Sequence, residues 1–103
     1  MYSQLKTIND FSNLLNSAIE ETNGYIKQFP EMMIYKNLLQ QLQFVKKVII
    51  EESRKPTFYE TNSTYIGAIA IKNFENNPIY SEKLKIISYV FDEYKEIDFL
   101  KNT

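Results

Sequence analysis

Glu51, Glu52 and Glu60 fall close together in the chain, and grouped carboxylates are the minimum equipment for general acid–base chemistry. The sequence contains no His and no Cys. That removes the imidazole base, the thiolate nucleophile, Cys-based zinc sites and Glu-x-x-His carboxylate-bridged metal sites. An enzyme built here would have only carboxylates, Lys and Tyr, with nothing to form a convergent polar pocket around them. Phe58 and Tyr59 stand between these acids. Aromatic side chains are favoured anchors at protein interfaces, and flanking charge speeds encounter, so the group suits recognition better than catalysis. Glu51, Glu52, Phe58, Tyr59 and Glu60 are therefore the candidate partner-binding residues, and no catalytic, cofactor-binding or metal-binding residue is expected. The competing reading folds Phe58 and Tyr59 back onto helix ends and leaves the acids merely solvated.

The elements that position this group read as helices. Ile8, Phe11, Leu15, Ala18, Ile19, Tyr25, Ile26 and Phe29 recur mostly three or four apart, which is the helical period. Thr7 or Asn9 can cap that helix, with Asp10 favourable in its first turn. Its weak point is Gly24, where a break is the alternative. Pro30 stops the first helix and suits the first position of a second. Met33, Ile34, Leu38, Leu42, Val45, Val48 and Ile49 form the broad apolar stripe of that second helix, which should run to about Ser53. The stretch "SRKPTFYETNS" reads as a loop ending in a cap at Thr61, Asn62 or Ser63.

The run from Thr61 to Ile71 carries no charge. As a strand it would show Tyr65, Gly67, Ile69 and Ile71 on one face and Ile66, Ala68 and Ala70 on the other, with no polar face and no second strand to pair with. A helix is favoured, apolar all round and so expected in the middle of a bundle, with Gly67 letting a neighbour approach closely. Asn77 and Pro78 then cap and start a last helix, whose stripes are Leu84, Ile87, Phe91 and Tyr94, and Ile86, Val90 and Ile97. The expectation is an all-α compact bundle of four main helices at about 7–28, 31–53, 62–75 and 78–97, forming a single domain over residues 1–103.

Composition agrees. The 103 residues are 44% apolar and 24% charged, and two Gly with three Pro leave too little turn chemistry for a many-stranded fold. A net charge of −1 gives no basic footprint for nucleic acid. No stretch has a signal pattern or the length of a membrane span, so a cytoplasmic location with no membrane partner is expected. Eight Tyr and seven Phe exceed what so small a core can hide, which favours a protein-binding role.

"YIKQFPEM", "LQQLQFVKKVII", "YIGAIAIKNFENNP" and "SEKLKIISYV" occur in that order with short spacers. They resemble the small immunity proteins of bacterial type VI secretion that protect against an NAD(P)-degrading glycohydrolase effector. The resemblance covers roughly Leu14 to Phe91. Its most specific parts are Gln41-Leu42-Gln43-Phe44, Ile66-Gly67 through Ala70-Ile71-Lys72, and Phe74-Glu75, which are packing and surface residues. It implies an all-helical, non-enzymatic protein that binds its cognate toxin in the cytoplasm and blocks the toxin's active site. The partner so implied is an NAD(P) glycohydrolase-like or related nucleotide-acting effector, nucleotide-pyrophosphate synthesis included. Carboxylates beside aromatic anchors would suit the basic cleft of such a toxin. The N-terminal lead before Leu14 and the "ESRKPTFYE" connection are longer than the family pattern. Two further surfaces stand beside the candidate group: acidic patches at Glu20-Glu21 and at Asp92-Glu93 with Glu96 and Asp98, and Met32-Met33 with Tyr35. Each is more simply a solvated face or the cover of a helix turn. The alternative function is a helical oligomerisation or adaptor module, in which the same stripes complete a homodimer.

Overall fold

The computed structural model describes residues 5–93, and every regular element among them is helical. The all-α bundle expected from periodicity is the fold. Helix α1 spans Ile8–Gln28, α2 Met33–Val45 with a π-helical extension Lys46–Glu51, α3 Phe58–Asn62, α4 Ile66–Asn73 and α5 Pro78–Asp92. Helix α1 packs between α2 and α5, α4 lies along α5, and α4 touches α2 more lightly to close the ring.

Thr7 caps α1 reciprocally: its Oγ1 accepts the Asp10 N–H at 3.1 Å, and the Asp10 carboxylate accepts the Thr7 N–H at 3.1 Å. A further bond from the Lys6 N–H is the main cause holding the Asp10 pKa below its usual value. Phe11, Leu15, Ala18 and Thr22 are buried along one face. The helix continues without a break through Gly24, which is exposed and has nothing within 4 Å of where a Cβ would sit. Gly24→Ala should therefore stabilise the protein by about 1 kcal/mol, read as a higher urea midpoint at constant m-value. Gly67→Ala should not give this gain. A Cβ at Gly67 would meet Ser88 Oγ at 2.9 Å and Ser88 Cβ at 3.2 Å, so the close approach of α4 to α5 there requires glycine or a shift of Ser88.

Several expectations need correction. Pro30 is not the first residue of α2 but lies in a turn, closed by the Met32 N–H on the Phe29 carbonyl at 3.0 Å, and α2 starts at Met33. Tyr35, not Met33, leads the buried stripe. Helix α4 is shorter than 62–75 and is not in the middle of the bundle. Ile66 and Ala70 face inward, while Ala68 is exposed and Tyr65 and Ile71 are each 60% exposed. Absence of charge made the run look apolar on every side, but an eight-residue helix lying mainly along α5, with a lighter touch on α2, has only one covered face. Its start is not capped by Thr61, Asn62 or Ser63. The Tyr65 N–H instead donates to Gln41 Oε1 at 2.6 Å, an acceptor that belongs to α2. The parts of the last helix expected at Tyr94 and Ile97, and the acids Glu96 and Asp98, lie outside the described residues.

Asn77 and Pro78 do open α5, yet the Asn77 side chain donates to Tyr25 Oη at 2.8 Å and does not cap the helix. Tyr25 in turn donates to Glu21 Oε2 at 2.6 Å, and Lys83 reaches Ser17 Oγ at 2.8 Å and Glu21 Oε1 at 2.9 Å. This half-buried chain of bonds ties α5 to α1 beside an aromatic cluster of Tyr25, Phe29, Tyr35, Phe74 and Tyr80, with neighbouring ring centroids 5.0–6.2 Å apart. Burial and the hydrogen bond to Glu21 push the Tyr25 hydroxyl above its usual pKa.

Candidate functional site

The residues singled out around the 51–60 connection are brought together by a turn that begins at the end of α2. A straight α-helix would carry Glu52, seven residues after buried Val45, back onto the buried stripe. The wider π turn at Lys46–Glu51 shifts the register, burying Val48 and Ile49 and leaving Glu51 and Glu52 in solvent. The Glu52 N–H closes on the Lys47 carbonyl at 2.8 Å and the Arg54 N–H on the Val48 carbonyl at 3.2 Å. Between them Ser53 adopts left-handed backbone geometry, φ 49°, which a helix exit commonly needs and which glycine usually supplies.

Reversing the chain in this way places Arg54 across the connection. Its Nη1 and Nη2 donate to the two Glu60 carboxylate oxygens at 2.7 and 2.8 Å, and its Nε donates to Glu52 Oε1 at 2.7 Å. A bidentate fork of this kind is the strongest arrangement an exposed ion pair can take. Glu60 closes a second ring: its Oε1 accepts the Thr57 N–H at 2.9 Å while its N–H donates to Thr57 Oγ1 at 3.1 Å. Arg54 first, and the Thr57 backbone next, hold the Glu60 carboxyl at a pKa of about 2, and the two carboxylates raise that of Arg54. Glu60 is therefore ionised throughout the neutral range.

The stretch expected to be a loop is thus a capped helix of five residues, α3. Its signature, Thr57-Phe-Tyr-Glu60, was in the sequence, since Thr or Ser followed three residues later by Glu marks a capping box. Helix α3 buries none of its residues, and Phe58 and Tyr59 are each 81% exposed. They do not fold back onto helix ends. Phe58 forms one wall of a groove of about 350 Å³ whose other wall, at the end of α5, includes Phe91 and Asp92. Asp92 is raised above the usual aspartate pKa by desolvation of its carboxyl, with the Glu93 charge adding to the shift.

Of the five candidate residues, Phe58 and Tyr59 present adjacent aromatic surface, while Glu52 and Glu60 are engaged by Arg54. Glu51 is exposed and makes no ion pair among the described residues. Elsewhere Glu21 is consumed by Lys83 and Tyr25, so the Glu20-Glu21 patch is half internal. Tyr35 belongs to the core, whereas Met32 and Met33 stay exposed. No group of His, Cys, Asp or Glu among the described residues could hold a metal ion, and none of the described helices is long and apolar enough to cross a membrane.

The decisive comparison concerns the helical scaffold as a whole: residues 10–93, from the first turn of α1 to just beyond α5, match the Tsi6 family. The chain belongs to the Tsi6 family. Tsi6 proteins are type VI secretion immunity proteins, and membership makes this chain an immunity protein of that system. No curated protein and no solved structure matches it. In this Tsi6 family member the exposed side chains of the 51–60 connection include Glu51, Glu52, Phe58 and Tyr59.

Proposed function

We propose that this immunity protein acts in the cytoplasm of the producing cell by binding a cognate secreted toxin through the face that carries Phe58 and Tyr59, and by occluding the toxin's active site without chemistry of its own. Glu51, Glu52 and Glu60 border that face, with Glu51 presenting its charge unpaired among the described residues and Glu52 and Glu60 sharing theirs with Arg54. The partner is an NAD(P) glycohydrolase or another nucleotide-acting effector, whose substrate cleft must be basic enough to hold phosphates and is therefore complementary to carboxylates. The observation that carries the reading is the pair of large aromatic side chains, each 81% exposed, on a helix that buries nothing and yet is held by hydrogen bonds at both ends. Exposed aromatics on an ordered backbone are costly to keep in water unless a partner covers them.

Co-expression with NAD(P)-degrading toxin domains tests it. Growth and the cellular NAD(P) pool should be restored by this chain, and the two proteins should co-purify as a one-to-one complex. No rescue and no complex with any such toxin would overturn the assignment of the partner. Light scattering addresses the rival assignment as an oligomerisation module: a tight homodimer that covers Phe58 and Tyr59 would remove the proposed face, whereas a monomer leaves it open.

A further inference from the structure

We propose that Arg54 is the positioning residue of this face: it fastens α3 to the end of α2 so that Phe58 and Tyr59 stand in one arrangement before any partner arrives. The inference rests on the reading of the Phe58–Tyr59 face as the docking surface.

Helix α3 has only five residues and buries none of them. Isolated helices of that length do not persist in water, because nucleation fixes several residues for a single hydrogen bond. No apolar anchor compensates here. What remains is polar: the capping box between Thr57 and Glu60, the Thr61 and Ser63 amides on the Thr57 and Glu60 carbonyls at 3.0 and 3.2 Å, and the Arg54 fork. All of these bonds except the fork lie within residues 57–63 and would move with α3 as a unit. Arg54 alone among them reaches out of the helix, from Glu60 on α3 to Glu52 at the helix exit, and a further bond from Nη1 to the Lys55 carbonyl at 3.3 Å stiffens the span. The left-handed turn at Ser53 aims the side chain along this path. An ordered aromatic pair binds with less conformational entropy to lose, so affinity gained in this way needs no contact between Arg54 and the partner.

Water-exchange NMR on the full chain tests the fastening by itself. In Arg54→Met the Thr61 and Ser63 amides should exchange at least about tenfold faster than in the wild type, while the Ile69 and Phe74 amides of α4 keep their rates. Arg54→Lys, which retains the charge but not the fork, should fall between. Unchanged exchange at Thr61 and Ser63 in Arg54→Met would overturn the proposal whatever any toxin does. With the toxin domain that co-purifies with the wild type, Arg54→Met should weaken binding by about tenfold, and Arg54→Lys, which keeps the charge but not the fork, should recover only part of that affinity. Faster exchange with unchanged affinity would also overturn it. Failure of the docking reading shows differently: removal of Phe58 and Tyr59 would then leave toxin affinity intact while the exchange result stands.

Discussion

Exchanging Phe58 and Tyr59 together for alanine should weaken the complex with the co-purifying toxin by at least about a hundredfold and leave the thermal midpoint of the free protein within error of the wild type. The first half follows from the way interface energy concentrates in a few aromatic anchors, each worth about 2 kcal/mol or more when fully covered by a partner. Two such residues acting non-additively still reach about 2.7 kcal/mol, which is a hundredfold in Kd. The second half follows from their exposure: at 81% each, neither side chain has much apolar contact to lose in the free protein. Surface exchanges of this kind move stability by no more than about 0.5 kcal/mol. Calorimetric titration against the toxin domain, with a thermal melt of each variant, reads both halves. Wild-type affinity in the double variant would move the interface away from α3, with the exposed Met33 and the Ile71 side of α4 as the next surfaces to probe.

The contrast between this face and the rest of the molecule shows what a one-dimensional reading can reach. Helix type and order followed from the spacing of Phe11, Leu15 and Ala18, of Leu38, Leu42 and Val45, and of Leu84, Ile87 and Phe91, because each set must cover one stripe of a 3.6-residue period. An unbroken α1 through Gly24 was the favoured reading with a break as its alternative, because a single glycine weakens a helix less than a long apolar stripe holds it, and the close approach at Gly67 followed from the missing side chain there. The position of α4 was not legible. Its one-sided burial depends on which neighbour it lies against, and the amide of Tyr65, the residue just before it, is satisfied by Gln41, distant in sequence. Around the candidate site the residues were visible but their bonding was not. Arg54 counted as one positive charge among nearby Glu residues, whereas its effect depends on the π turn and the left-handed Ser53, which decide where the guanidinium points.

The largest loss of stability should come from Tyr80, which has no exposed surface and closes the contact between α1 and α5. Its ring meets Tyr25 edge-on at 5.0 Å and Phe74 edge-on at 5.1 Å. Its hydroxyl lies 2.6 Å from Thr22 Oγ1, and because Thr22 already donates to the Ala18 carbonyl at 2.7 Å, Tyr80 must be the donor of that pair. Tyr80→Ala removes the ring and leaves a cavity between the helices, costing about 3–5 kcal/mol. In a domain of this size that lowers the melting temperature by roughly 15 °C or more. Tyr80→Phe keeps the ring contacts and, with Thr22 still bonded to Ala18, should cost only about 1 kcal/mol. The same burial pushes the Tyr80 hydroxyl up to about 12 from the ordinary value of 10.0. The folded protein then keeps the proton that the unfolded chain loses first, so the stabilisation is complete below pH 10 and disappears as pH rises toward 12. Urea titrations of wild type and Tyr80→Phe at pH 8 and pH 11 separate the contributions. The wild type should lose more stability between the two pH values than the variant does, and equal losses would show that the Tyr80 hydroxyl does not hold its proton against alkali.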